Sequence, residues 1–288
     1  MTASVTLLGT KGGPAIRPGT PMPTAILVRM AGLNIVVDAG LGVARGLCDA
    51  GVPLTDIDAI VITHLHSDHY LELGPLLHTA WTAGLKRPVP VFGPAGLADY
   101  WAGFLASMAF DIALRIRDEG RPDLASLVRL GGLDESGLEI GPVRIRAMKN
   151  QHPPIKESFA LRLEAGGASF VLSGDTAAMD EMATFADGAD LLVHEAMLSA
   201  GVDALCARVG NGDERLKRHL LRAHTPAAEA GRIAARAGVG ALALNHLVPS
   251  DDPDFTEADW IAEVRQTWTG PLHVGRDGMT IPLDRKAS

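Results

Sequence analysis

Six residues constrain this chain more than any others: His64-Leu65-His66-Ser67-Asp68-His69, directly after Asp58-Ala59-Ile60-Val61-Ile62-Thr63. The preceding run is apolar over strand length, which predicts a strand buried on both faces. Three imidazoles and a carboxylate at the end of such a strand are not packing material, because each must find a partner if buried. They are nitrogen and oxygen donors of the kind that suit zinc and its neighbours. On a loop leaving a strand, His64 and His66 turn to one point, and Asp68 and His69 turn to a second. The spacing therefore points to two metal ions rather than one.

Around this loop the chain reads as short strands punctuated by glycine and proline. Val5 to Gly9 is strand-like, and the stretch Gly9 to Pro23 is a surface loop. Ala25–Met30 and Asn34–Asp38 form a hairpin about Ala31-Gly32-Leu33. Helical spacing covers Leu41 to Ala50 and Tyr70 to Gly84, and residues 96 to 130 read as mostly helical with an interruption at Gly120-Arg121-Pro122. Further strands are expected at 89–92, 138–149, 158–164, 168–173, 190–193 and 241–244, and helices at 177–186, 226–237 and 256–266. Thr225 is expected to cap the helix whose first position is Pro226. Strand-rich halves interleaved with helices imply two packed sheets with helices outside.

Composition narrows the class. The chain has 288 residues, with 34 acidic against 26 basic residues and a formal net charge of -8. That balance argues against a nucleic-acid backbone as partner. Two cysteines, Cys48 and Cys206, make no disulfide framework and read as packing residues in a cytoplasmic protein. No apolar run approaches the roughly 20 residues of a membrane span, so no membrane partner is expected.

The His64–His69 pattern resembles the signature of the metallo-β-lactamase superfamily, and other motifs follow in order. Val36-Val37-Asp38-Ala39-Gly40 resembles the family's strand-and-turn aspartate, which braces the metal loop. His152 in Lys149-Asn150-Gln151-His152, Asp175 in Ser173-Gly174-Asp175-Thr176 and His246 in Leu244-Asn245-His246-Leu247 match its remaining ligand positions. The resemblance implies an α/β (α+β) fold, the αββα sandwich of two mixed β-sheets flanked by helices. It implies one such domain over residues 1–288, with helical insertions near 96–135 and 198–223. It also implies His64, His66, His152 and Asp175 on one metal and Asp68, His69, His246 and Asp175 on the other. Zinc is the expected ion, with manganese or iron as alternatives. Two divalent ions bring four positive charges; Asp68, Asp175 and a bridging hydroxide remove three, leaving a locally positive site fit for hydrolysis.

His194-Glu195-Ala196 and His224-Thr225 resemble paired motifs of the ribonuclease Z-like branch, which includes arylsulfatases and phosphodiesterases. By that resemblance Glu195 orients His224, which assists the leaving group, and Asp68, His224 and Glu195 carry catalysis. The chain departs from the branch at Met197, where a threonine is usual, and at Pro226 after Thr225. Leu8-Gly9-Thr10-Lys11-Gly12-Gly13-Pro14 and Ala80-Trp81-Thr82-Ala83-Gly84 resemble the arylsulfatase-like members. The short spacings 152–175 and 175–194 leave no room for an RNA-gripping arm. The expected function is hydrolysis of an ester-type bond in a small molecule, arylsulfatase- or phosphodiesterase-like. Alternatives are a lactonase- or β-lactamase-like hydrolase of a cyclic carboxyl derivative and a ribonuclease Z-type nuclease. No nucleic-acid partner is expected, and a homodimer is. Trp81, Phe110 and Met197 are candidates for an apolar pocket or for the core, and Arg115 and Arg117 for an anion site or a solvated helix face. His78, His219 and His273 read as ordinary surface or packing residues.

Overall fold

Short apolar runs buried along most of their length build the first sheet of the computed structural model, which describes residues 3–283. β1 (Ser4–Gly9), β2 (Ala25–Met30) and β3 (Leu33–Ala39) form an antiparallel meander. α1 (Val43–Asp49) then leads to β4 (Ala59–Val61), parallel to β3. α2 (Ser67–Tyr70) and α3 (Leu73–Thr82) carry the chain to β5 (Val89–Gly93), and a helical pair, α4 (Leu97–Ser107) and α5 (Ala109–Glu119), precedes β6 (Val128–Gly132). Both β5 and β6 add in parallel.

The second sheet opens with β7 (Leu138–Ile140), β8 (Val143–Lys149), β9 (Phe159–Ala165) and β10 (Ala168–Leu172), all antiparallel neighbours. After α6 (Glu181–Phe185) comes β11 (Leu191–Met197), parallel to β10. α7 (Gly201–Val209), α8 (Arg215–Ala223) and α9 (Ala227–Ala237) intervene before β12 (Ala241–Val248), parallel to β11. α10 (Glu257–Val264) leads to β13 (Leu272–Val274) beside β12, and β14 (Met279–Pro282) returns to pair with β1. Each sheet has seven strands among the described residues.

Three apolar layers hold this together. Val5, Leu7, Ile26 and Val37 face Phe159, Leu161, Phe170 and Val193 between the sheets. Leu27, Val36 and Ile60 point the other way, onto Leu47, Leu76 and Trp81 of α1 and α3. Val171, Leu192 and Leu242 pack on Ile233, Ala234 and Trp260 of α9 and α10. The order is helix, sheet, sheet, helix: the αββα sandwich. β2 is buried on both faces, which is why it reads as a continuous apolar run. Fully burying each large side chain contributes roughly 1.5–3 kcal/mol.

The sequence reading errs at boundaries that tertiary contacts decide. α5 stops at Glu119 because Gly120 takes a left-handed conformation (φ 66°). Val128–Leu130, the end of the stretch expected to be mostly helical, instead belong to the edge strand β6, fixed by its ladder to β5. The 138–149 strand is a hairpin turning at Gly141 (φ 54°). Only Glu181–Phe185 of the helix expected at 177–186 is helical. Thr225 does not cap α9: its hydroxyl donates to the Thr176 carbonyl at 2.7 Å. Cys48 is exposed rather than packed, while Trp81 lies in the core with Nε1 donating to the Pro122 carbonyl at 2.9 Å. Phe110 is 84% exposed, so it lines no pocket. No single helix among the described residues is long and apolar enough to cross a membrane.

What this topology places is one edge. The segments after β4, β8 and β10 carry His64–His69, His152 and Asp175, the end of β12 carries His246, and all these strands end on the same side of the sandwich. Ligands collect at the carboxyl ends of parallel strands because loops there are free of the sheet's own hydrogen bonding.

Candidate metal centre

The centre is built from Asp38 upward. At the end of β3 its backbone is left-handed (φ 60°), a conformation short polar side chains tolerate. Its Oδ1 accepts the Thr63 N–H at 2.7 Å, and its Oδ2 accepts both the Thr63 hydroxyl at 2.9 Å and His69 Nδ1 at 2.8 Å. With its proton given to Asp38, Thr63 Oγ1 accepts from His64 Nδ1 at 3.1 Å. One buried carboxylate thus fixes the tautomers of two histidines, leaving both Nε2 atoms facing inward. On the opposite sheet His152 Nδ1 donates to the Ala223 carbonyl at 3.0 Å, which turns its Nε2 inward too.

Two groups of donors result, each with ligand atoms within 4.8 Å of one another: His64, His66, His152 and Asp175, and Asp68, His69, Asp175 and His246. Asp175 belongs to both. Its Oδ2 lies 3.7 Å from His64 Nε2, 3.8 Å from His152 Nε2, 3.3 Å from His69 Nε2 and 3.0 Å from His246 Nε2. Asp68 Oδ2 is 3.3 Å from His246 Nε2 and accepts the Gly13 N–H at 2.8 Å. In the sequence only the Gly12-Gly13 pair, a mark of close backbone approach, signals this use of the glycine-rich loop. Gly12 abuts the centre: a Cβ there would meet Val248 Cγ2 at 2.4 Å and the His246 ring at 3.0 Å.

The donors fit a metal. His66 Nδ1 lies 3.2 Å from His64 Nε2 and 2.9 Å from His152 Nε2, so three imidazole nitrogens converge where they repel unless a proton or cation lies between them. His69 Nε2 is buried with no hydrogen-bond partner. Charge tells the same story. Burial holds His64 well below, and His66 and His152 below, the usual histidine value, so these are neutral ligands. Burial opposes a proton on His69 and His246, but Asp175, with Asp38 and Asp68, outweighs it. His69 lies well above the usual range and His246 is pushed up to about 10. Asp68 and Asp175 are held low by those same imidazoles against the cost of burial. Two protonated imidazoles thus occupy the charge position that divalent ions take when histidines act as ligands.

Beside the centre Glu195 Oε1 accepts the Thr176 N–H at 2.8 Å and His224 Nδ1 at 3.1 Å. The His224 ring stacks on His246, with centroids 5.4 Å apart. His194 points elsewhere, Nδ1 donating to the Glu195 carbonyl at 2.7 Å. A cavity of about 380 Å³ opens over His66, Asp68, Asp175, His224 and His246. Lys11 to Ala15 and Arg17 form one side of it, and Leu205, Leu216, Leu220 and Val248 an apolar wall. No residue of 96–135 lines it, whereas the 198–223 segment does. His219, expected to be an ordinary surface or packing residue, is on that wall, its ring 6.0 Å from His224. Met197 is buried against Val202 and Leu220 just behind the wall. His78 and Arg115 pair with Asp111, each at 2.9 Å, and Arg117 lies 3.6 Å from Asp118, away from the site.

Fold and centre together define the metallo-β-lactamase class of metal-dependent hydrolases. A family model described as anti-Pycsar protein Apyc1 matches residues 4–238. Ribonuclease Z of Mycobacterium bovis is 34% identical over 282 residues, covering 95% of each chain. Among solved structures, the metallo-β-lactamase fold protein YhfI from Bacillus subtilis superposes with a TM-score of 0.74 at 23% identity, covering 98% of this chain and 100% of that one. The short form of human tRNase Z gives 0.68 at 22%, with the same coverage. The chain belongs to the anti-Pycsar Apyc1 family, within the ribonuclease Z-like branch of the metallo-β-lactamase superfamily.

These relatives correct one expectation. Absence of a nucleic-acid partner was argued from net charge and the missing arm, yet relatives similar along 95% of their length are named as ribonucleases. Net charge is a sum over the surface, whereas phosphates are contacted locally, so the sum does not exclude RNA.

Proposed function

We propose that the chain is a binuclear metal-dependent phosphodiesterase that hydrolyses a ribonucleotide phosphodiester. The observation that carries this reading is the sharing of Asp175 between two donor groups, with the Glu195–His224 pair on the same cavity. Two divalent ions, most simply zinc, would supply Lewis acidity there, acidifying a water and drawing charge from the phosphoryl oxygens. His64, His66, His152 and Asp175 would hold one ion; Asp68, His69, His246 and Asp175 would hold the other. Asp68, steadied by Gly13, keeps its carboxylate at the cavity floor. Glu195 fixes His224 with Nδ1 toward the carboxylate, leaving Nε2 to give a proton to the departing oxygen. The ribonuclease name of the relatives supports a phosphodiester over a sulfate ester or lactone. A free mononucleotide-sized phosphodiester is the second reading, favoured by a cavity of about 380 Å³.

Zinc-loaded protein is assayed on bis(p-nitrophenyl) phosphate, an oligoribonucleotide, a cyclic mononucleotide, p-nitrophenyl sulfate and a lactone. Turnover of the phosphodiesters above the last two is expected. Cleavage of only the sulfate or the lactone would overturn the reading, and the oligonucleotide and cyclic substrates separate its two forms.

A further inference from the structure

α8 presents two different faces. Leu216, His219 and Leu220 line the catalytic cavity, while Arg215, Arg218 and Arg222 are exposed. Arg215 is paired with Asp213 at 2.7 Å and Lys217 with Asp203. Arg218 and Arg222 make no ion pair among the described residues. They stand four residues apart on one helix, so their guanidinium groups are neighbours and repel each other. Arg222 is also three residues from His219, so the cationic face meets the cavity wall at its rim.

We infer that this face, centred on Arg218 and Arg222, binds the backbone phosphates of a ribonucleotide chain next to the bond being cleaved. The inference rests on the phosphodiesterase reading and adds a surface to it. A chain of net charge -8 repels a polyanion over most of its surface, so contact must be made where the sign reverses. α8 is such a place and it abuts the centre: its last residue, Ala223, accepts from His152 Nδ1, and the next is His224. A strand whose reacting phosphate lies against His224 therefore has α8 beside its continuation. Guanidinium matches phosphate with paired donors, and two free arginines on one helix match successive phosphates better than an isolated ion. An anionic membrane is the weaker occupant, because Leu221 is the sole exposed large apolar side chain that this nine-residue helix offers.

The test uses the full chain, wild type and the double variants R218A/R222A and R218E/R222E, whose exposed positions leave the core untouched. Binding of a fluorescein-labelled single-stranded oligoribonucleotide to the metal-free protein is followed by anisotropy over a potassium chloride series. The alanine variant is expected to bind about tenfold more weakly, with the slope of log affinity against log salt reduced by roughly 0.7 per lost contact. The glutamate variant is expected to bind more weakly still. Unchanged affinity and slope would overturn the inference. So would arginine-dependent binding to phosphatidylserine vesicles with oligonucleotide binding unaffected. In the zinc-loaded enzyme kcat/KM for the oligonucleotide should fall further than for bis(p-nitrophenyl) phosphate, and an equal fall would count against the surface. If arginine-dependent binding holds but no phosphodiester is turned over, the surface stands and the phosphodiesterase reading fails.

Discussion

Asp38 and His69 are joined by a 2.8 Å hydrogen bond between Oδ2 and Nδ1, made from a residue with left-handed backbone. The same oxygen anchors Thr63, and through it His64. Asp38 therefore sets one histidine in each donor group while belonging to neither group itself. The substitution Asp38→Asn tests this cleanly, because asparagine tolerates the same backbone and fills the same space. Zinc affinity should fall about 10- to 100-fold, the usual effect of losing such a supporting group. Competition with a chromophoric chelator measures it, and undiminished affinity would remove Asp38 from this role.

Glu195→Gln keeps the side chain's shape while removing the negative charge beside His224 Nδ1. The expected loss in kcat is about 10²- to 10⁴-fold on phosphodiesters with alkyl leaving groups. It should be smaller on p-nitrophenyl esters, whose leaving group needs no proton. Metal content should stay at the wild-type level. A loss equal across leaving groups would mean that the pair merely shapes the cavity.

How much of this was legible follows from where the information lies. His64, His66, Asp68 and His69 are dense in the chain, so their chemistry reads directly. Asp38, His152, Asp175 and His246 are isolated residues that meet only through strand order, and they were legible only by resemblance to a family. Gly13 and His219 were not found, because their positions depend on how the N-terminal loop and α8 fold over the edge. β6 was misread because Val128-Arg129-Leu130 carries no clear period and its pairing with β5 decides its state. Net charge is silent about RNA for a related reason: a sum over the chain contains nothing about where individual arginines stand.

Gly12 is a point where the N-terminal loop and the centre are packed without slack. Gly12→Ala would place a methyl 2.4 Å from Val248 Cγ2 and 3.0 Å from the His246 ring. Displacing these neighbours should cost about 1–3 kcal/mol, or a Tm fall of roughly 2–4 °C per kcal/mol for a chain near this size. Since His246 moves, the zinc carried by its donor group should bind more weakly as well. At Gly13 a methyl meets open space, and the cost of Gly13→Ala is instead that of its left-handed backbone (φ 85°), about 1–2 kcal/mol. Equal zinc affinity in Gly12→Ala and wild type would show that the loop and the centre are independent.

Protonation of the metal-free centre leads to the last prediction. His246, raised from 6.5 to about 10 by Asp175 and Asp68 against its burial, contributes stability that is fully present below 6.5 and lost as pH rises through about 10. Asp68 and Asp175 are depressed below 3.8, so their contribution is present above that value and lost as pH falls through their folded values. His64, His66 and His152, held below 6.5 by burial, act the other way: their contribution is present above 6.5 and lost as pH falls below it. Chelated protein should therefore melt at its highest temperature near pH 6.5, fall on the acid side and lose Tm steadily toward pH 10. Zinc needs His69 and His246 neutral, so its binding expels protons and tightens over the same interval. Loaded protein should hold its Tm where the chelated form declines, and calorimetry in buffers of different ionisation enthalpy should show proton release. A chelated Tm that is flat from pH 6.5 to 10, with no protons released on loading, would mean that His69 and His246 are already neutral and that the charge balance described for Asp175 is wrong.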